Sequence, residues 1–439
     1  MNADLQIDAR WIIPVVPSGV VLDDHSLIVR GGRIVAVMPT SQANQTVDST
    51  QRRSLPNHAL VPGLVNAHCH AAMTLLRGIA DDLPLMTWLN DHIWPVEGAL
   101  VSAQMVHDGA SLAAYEMLAG GITAVNDQYF FPESSAKAYR DAGMRASLGI
   151  PIVEFPTPYA RDADDYLRRG LALADEVRGD PLLVASFAPH APYTVSDESF
   201  KKIRTYSDQL NVRIQCHIHE TAFEVEDARS KTGERPFARL KRLGLIGPDL
   251  TAVHMTQLTP AEIEDVARFG VVVAHCPESN LKLASGFCPV AALLKAGAKV
   301  AIGTDGAASN NDLDLLGETK TAALLAKAVA MDAAALSAAE ALEAATLSGA
   351  RSLGMDETIG SLEVGKWADV CAIDFSGLHL APVFNPISHI VYAASRRDIS
   401  DVWVAGRERV RAGVVLGADP ERLRALANEW ALKARAVRP

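Results

Sequence analysis

Four short stretches of the chain carry residue types that suit one metal ion: His68-Cys69-His70, His217-Ile218-His219-Glu220, His254 in Ala252-Val253-His254-Met255, and Asp305 in Ile302-Gly303-Thr304-Asp305-Gly306. His68 and His70 end an extended apolar run, so their side chains lie on one face and Cys69 points the other way, into the core. His217 and His219 share parity on a second run. One strand normally puts one residue at the depth of an ion, so His217 is the expected ligand, and His219 orients substrate or is structural. Glu220 stands where strand gives way to loop, a place for an acid/base group, although a carboxylate favoured by a helix N-terminus reads equally well there. Gly303 and Gly306 let the backbone approach closely around Asp305, whose bland alternative is a turn or N-cap residue. His254 is placed to touch a bound water rather than the ion, and His190, between Pro189 and Pro192, is a second residue of the same mouth. Three histidines and a carboxylate with an open position suit a catalytic zinc-like centre, which lowers the pKa of a bound water to about 7. A closed structural site would more often include cysteine.

These residues need a scaffold that brings strand ends together. Apolar runs at 59–65, 122–125, 145–152, 182–187, 212–218, 250–254, 270–274 and 298–303 alternate with helical patterns. Eight strands separated by helix-length segments predict a (β/α)8 TIM-like barrel over 61–356, whose chemistry sits at the carboxyl ends of the strands. An open doubly wound sheet is the alternative, but its glycine-rich phosphate fingerprint is missing after the first core strand. Residues 1–60 read as short strands, with Gly31-Gly32 as a hairpin turn and no helix. Residues 357–439 read as further strands with a helix at the end, and the two termini are expected to pair into one small β-sandwich domain. Ser337-Ala-Ala-Glu340 is a capping box, with Gly349 and Gly354 as stops. The low-charge run Thr321–Leu347 is expected to bury against the barrel, and leaves open a homo-oligomer contact.

Composition limits the partners. The chain has 439 residues, 49% hydrophobic and 6% aromatic, with a net charge of -11. That balance argues against nucleic acid, which is bound through clustered Lys and Arg. Five scattered cysteines without a C-x-x-C pair fit a reducing compartment. The acidic N-terminus does not resemble a signal peptide, and no run reaches the ~18 apolar residues of a membrane span. The expectation is a soluble cytoplasmic protein without membrane contact.

The motifs Pro62-Gly-Leu-Val-Asn-Ala-His-Cys-His70, His217-Ile-His-Glu220, His275-Cys-Pro-Glu-Ser-Asn-Leu-Lys282 and Gly303-Thr-Asp-Gly-Ala-Ala-Ser-Asn-Asn311 resemble the deaminase branch of the amidohydrolase superfamily, in particular its 5-methylthioadenosine/S-adenosylhomocysteine deaminase group. The likeness covers nearly the whole chain. It implies a hydrolase acting on C–N bonds that converts a purine nucleoside to its inosine analogue and ammonia. It implies one divalent ion, zinc by preference, on His68, His70, His217 and Asp305. Glu220 would protonate the purine ring nitrogen, Asp305 would take a proton from the attacking water, His254 would orient that water, Glu97 would bind ribose, and His190 would contact substrate. The absence of a lysine at a strand end, where binuclear members carry one, supports a single ion. Some members also grip substrate with arginines after the third strand, and Arg161, Arg168 and Arg169 offer no clear equivalent. The alternatives are a triazine or ammeline amino- or chlorohydrolase of the same superfamily and, from another class, an inactive scaffold. The complete set of expected ligands weighs against the scaffold.

Overall fold

The apolar runs form eight parallel strands, Leu64–Cys69, Ile122–Gln128, Arg145–Ile152, Leu183–Pro189, Arg213–Ile218, Leu250–His254, Val272–His275 and Lys299–Ile302, hydrogen-bonded to one another in chain order. In this computed structural model, which describes residues 1–437, the first and last strands meet through side chains and one backbone bond. Asn66 Nδ2 donates to Thr304 Oγ1 at 2.8 Å, the Thr304 amide donates to Asn66 Oδ1 at 3.0 Å, and the Asp305 amide donates to the His68 carbonyl at 3.0 Å. The approach leaves no room for a side chain at position 303, where a Cβ would stand 2.8 Å from the His68 nitrogen. Val, Ile, Leu and Ala fill the strands because parallel strands are covered on both faces: one set packs with the surrounding helices, while Ala67, Val253, Val272, Ala274 and Ala301 form a separate buried cluster.

The first of these runs splits at Gly63. Asp48–Pro62 is a 15-residue strand of a second sheet, and the barrel strand starts at Leu64. A Cβ on Gly63 would lie 2.2 Å from Thr123 Oγ1, so only glycine lets the chain pass between the two sheets there. The second sheet has eight strands in the order Val414–Val415, Arg407–Arg411, Ile399–Val404, Val370–Asp374, Asp48–Pro62, Asn2–Ile12, Leu22–Arg30 and Arg33–Pro39. The two chain ends join where Asp48–Pro62 runs antiparallel to Val370–Asp374. Gly31 and Gly32, at φ of 59° and 74°, make the expected hairpin turn. A helix that the sequence pattern did not announce, Thr40–Thr46, follows; it is short, lacks a side-chain cap and buries only Ala43. The barrel is tied to this sheet by Arg145, whose Nε lies 2.6 Å from Asp369 Oδ2, with both side chains buried.

Ser337 and Glu340 form the expected capping box at the start of Ala338–Ala344. Gly349 is not a stop: it lies inside the helix Leu347–Leu353, where a Cβ would meet the Val65 carbonyl oxygen at 2.5 Å. Gly354 ends that helix at φ 71°. The terminal helix Pro420–Val437 packs on Ala103–Ala119 and on Trp94–Leu100. Its Trp430 Nε1–H donates to the buried Asp108 Oδ2 at 2.9 Å. All five cysteines are buried and unpaired. No helix among the described residues is long and apolar enough to cross a membrane.

Candidate active site

The residues with chemical potential gather at the carboxyl ends of the strands. His68 lies near the end of the first strand and His70 directly follows it, His217 lies near the end of the fifth, His254 ends the sixth, and Asp305 follows the eighth. The ligand atoms of His68, His70 and His217 all lie within 4.8 Å of one another. Each imidazole is oriented by an acceptor that can only receive a proton from it. His70 Nδ1–H donates to the Gln128 carbonyl at 2.5 Å, His217 Nδ1–H to the His190 carbonyl at 2.6 Å, and His68 Nδ1–H to Gln215 Oε1 at 3.3 Å. All three Nε2 lone pairs therefore face one point, with those of His68 and His217 only 3.1 Å apart. Asp305 Oδ1 lies 3.6 Å from His68 Nε2 and 3.4 Å from His70 Nε2.

Asp305 is held from several sides. Ser279 Oγ and Ser309 Oγ donate to its Oδ2 at 2.6 and 2.9 Å, and the Gly306 amide donates to its Oδ1 at 2.8 Å. Burial opposes its ionisation, but the neighbouring imidazoles of His68, His70 and His254 hold its pKa well below the usual carboxylate range. Burial pushes His68 down to about 4 and His217 lower than its ordinary value. The imidazoles of His68 and His217 are thus neutral and the Asp305 carboxylate charged, which are the protonation states of metal ligands.

Glu220 takes the opposite state. Burial, with the Asp305 charge adding to it, raises its pKa to about 8, so it holds its proton at neutral pH. The alternative role at a helix N-terminus falls to other residues. Thr221 caps the helix Ala222–Thr232, and Glu224 accepts the His219 and Glu220 amides at 3.1 and 2.7 Å. Alternation breaks at His219, which has φ 54°. Its ring is therefore turned into the core, where Nε2 accepts the Phe237 amide at 3.2 Å, and Glu220 is turned into the pocket instead. His219 is structural. His254 and Asp305 also have positive φ, 74° and 61°. Such backbone costs roughly 1–3 kcal/mol per residue and persists where the surroundings enforce it.

His254 Nδ1–H donates to Asn280 Oδ1 at 2.9 Å, which leaves Nε2 aimed into the site, 3.8 Å from Glu220 Oε2. These groups form the floor of a cavity of about 240 Å³ that His190 and Glu97 also line. Glu97 comes from the helix Trp94–Leu100 and accepts the Tyr129 hydroxyl at 2.6 Å; burial raises its pKa. His190 Nδ1 meets Thr194 Oγ1 at 3.0 Å. Arg161, Arg168 and Arg169 do not line this cavity; they gather around Asp165 on an outer shelf. Sequence reasoning missed Gln215, Gln128, Tyr129, Asn280, Ser279 and Ser309. The signal for Gln215 was parity with His217 on one strand, and Ser279, Asn280 and Ser309 sit inside motifs already singled out.

A model of the amidohydrolase family matches residues 59–409. The chain belongs to the amidohydrolase family. This amidohydrolase is 48% identical over 435 residues to the 5-methylthioadenosine/S-adenosylhomocysteine deaminase of Teredinibacter turnerae, covering 99% of this chain and 98% of that one. It is 41% identical to the 5'-deoxyadenosine deaminase of Methanopyrus kandleri, over 94% of this chain and 95% of that one. The crystal structure of a zinc-bound adenosine deaminase from Xanthomonas campestris superposes with a TM-score of 0.98 at 52% identity, over 99% of each chain. Zinc-bound atrazine chlorohydrolase from Arthrobacter aurescens, at 24% identity, shares the amidohydrolase fold with a TM-score of 0.90 over 97% of this chain and 100% of that one.

Proposed function

We propose that this chain is a metal-dependent hydrolytic deaminase that converts 5-methylthioadenosine-type nucleosides, S-adenosylhomocysteine included, to the inosine analogue and ammonia. The observation that carries the reading is the geometry of one buried floor, where the ligand atoms of three histidines lie within 4.8 Å of one another, Asp305 Oδ1 lies 3.4 Å from His70 Nε2, and Glu220 Oε2 lies 3.8 Å from His254 Nε2. Replacing an exocyclic amine by oxygen needs a proton donor for the ring and a proton acceptor for water at the same carbon. Relatives of this chain over its full length carry deaminase names.

The donor set fits a divalent ion. Two imidazole lone pairs facing each other at 3.1 Å repel unless a cation lies between them, and His68, His70, His217 and Asp305 offer three imidazole nitrogens and one carboxylate oxygen, a set that suits zinc. One ion per chain is our reading. When bound, such an ion lowers the pKa of a coordinated water toward neutrality and so makes a nucleophile available.

The chain's own residues supply the rest. Glu97, beside Tyr129, accepts the ribose hydroxyls, and His190 contacts the nucleoside from the fourth strand. Glu220 gives its proton to the purine nitrogen next to the carbon under attack, which makes that carbon electron-poor. Asp305 accepts one proton from the water as its oxygen bonds to that carbon, while His254 Nε2, fixed by Asn280, orients the water. The proton on Asp305 then passes to the amine, the C–N bond breaks, and ammonia leaves. The remaining hydroxyl proton returns to Glu220, and the product keeps the ring-nitrogen proton. Both groups end in their starting states.

Glu97 separates this reading from triazine hydrolysis, because a triazine has no ribose hydroxyls for a buried carboxylate to meet. Ammonia release from methylthioadenosine, S-adenosylhomocysteine, adenosine, guanine and a chlorotriazine tests the assignment. Turnover confined to the adenosines is expected, and turnover of the triazine alone would overturn the reading.

A further inference from the structure

The cavity above the histidines has two chemically different ends. Its floor is buried and polar, with His217, Glu220 and Asp305 each at most 7% exposed. Its outer part is formed by Leu85, Trp88, Phe155, Pro156, Pro158 and Tyr193. Phe155 and Tyr193 are 42% and 40% exposed, so aromatic surface is presented at the mouth of the cavity. The charge on the walls has one sign. Apart from histidines and the two tyrosines Tyr129 and Tyr193, the ionisable groups lining the cavity are Glu97, Glu220 and Asp305, and no Lys or Arg among the described residues lines it. The bordering shelf shares only Thr157 and Pro158 with the cavity. Its cations already turn to Asp165, with Arg168 at 2.5 Å and Arg161 and Arg169 at 3.6 Å each. The side chains of Arg161 and Arg168 are 84% and 68% exposed, so water and salt screen them.

We propose that this outer part is an apolar subsite for the 5′ substituent of the nucleoside, which accepts uncharged alkylthio or arylthio groups larger than methyl and discriminates against a substituent ending in ammonium and carboxylate. The inference rests on the deaminase reading: with the ring amine at Glu220 and Asp305 and the ribose at Glu97, the 5′ carbon points to the rim. Apolar carbon gains there by leaving water, up to about fourfold in kcat/KM for each methylene fully buried. A zwitterionic end loses hydration beside carboxylates without a paired cation.

The test is kcat/KM of the full-length, zinc-loaded protein for 5′-methylthio-, 5′-propylthio- and 5′-phenylthioadenosine and for S-adenosylhomocysteine. We expect the propylthio and phenylthio compounds to equal or exceed the methylthio compound, and S-adenosylhomocysteine to fall at least tenfold below it. Phe155→Lys should raise the ratio of S-adenosylhomocysteine to methylthioadenosine turnover severalfold, with zinc content unchanged. A gap below tenfold in the unmodified protein, or rejection of the propylthio and phenylthio compounds, would overturn the subsite while leaving the deaminase reading intact. Absence of ammonia from every nucleoside would remove the deaminase reading, and the subsite with it.

Discussion

Glu220 and Asp305 are two carboxyl groups in one buried site with opposite protonation states, and that difference assigns their roles. Glu220→Gln removes the transferable proton but keeps the size, so kcat should fall about 10²–10⁴-fold with metal content unchanged, as for other general acids. The pH profile follows from the sign of the shift. A group raised to about 8 is protonated below that value, so activity is present there and is lost as pH rises through it. In steady-state kinetics this gives an alkaline limb near pH 8, which the Gln variant should lack at its lower residual rate. Glu97→Ala should cost about 10–100-fold in nucleoside kcat/KM, the worth of a lost hydrogen bond to a charged group; unchanged kinetics would remove the ribose role. At this scale the sequence was readable where a residue type is rare and its surroundings regular, as for His68, His70 and Asp305. It was ambiguous at His219, because alternation assumes extended backbone and the φ of 54° there reverses which side chain faces the cavity. The serines on Asp305 were hidden for another reason: Ser279 and Ser309 lie 26 and 4 residues away in the chain and meet it only in three dimensions.

The strands and the helices behind them bring these groups to one point. Seven of the barrel strands were visible as apolar runs because parallel strands are buried on both faces. The first run misled because two strands of different sheets follow each other with only Gly63 between them. Gly303→Ala should press a methyl group against the His68 backbone, where nothing flexible can yield, at a cost of about 1–3 kcal/mol. A lower Tm and weaker zinc retention measured on the same sample would report it. The terminal helix is a less obvious support. Trp430 packs in one cluster with Trp88, Leu89, Ile93 and Val96, the segment that carries the helix of Glu97. Trp430→Ala should cost about 3–5 kcal/mol of stability and raise KM more than it lowers kcat. Trp430→Phe keeps the ring packing and loses one hydrogen bond to the buried Asp108, worth about 1–3 kcal/mol, and should largely restore KM. A helix was expected at that end of the chain, but nothing local in the sequence says that it braces the cavity wall.

Across the whole molecule, two eight-stranded sheets share one chain whose first and last strands lie in the same sheet. The likeness to amidohydrolases over nearly the full length made this architecture legible, whereas the buried contact of Arg145 with Asp369 that links the sheets spans 224 residues and leaves no local signature. The ion would tie the ends of the first and fifth strands to the loop after the eighth. Its removal by a chelator should therefore lower Tm as well as abolish turnover, by RT ln(1 + [L]/Kd) in stability, and zinc should restore both. The most direct measurement is the rate of ammonia release from methylthioadenosine against zinc bound per chain in the same preparation. A linear rise that levels off at one equivalent is the expected result. Full turnover by metal-free protein, or none at any zinc loading, would contradict the assignment of this floor as a metal-dependent deaminase site.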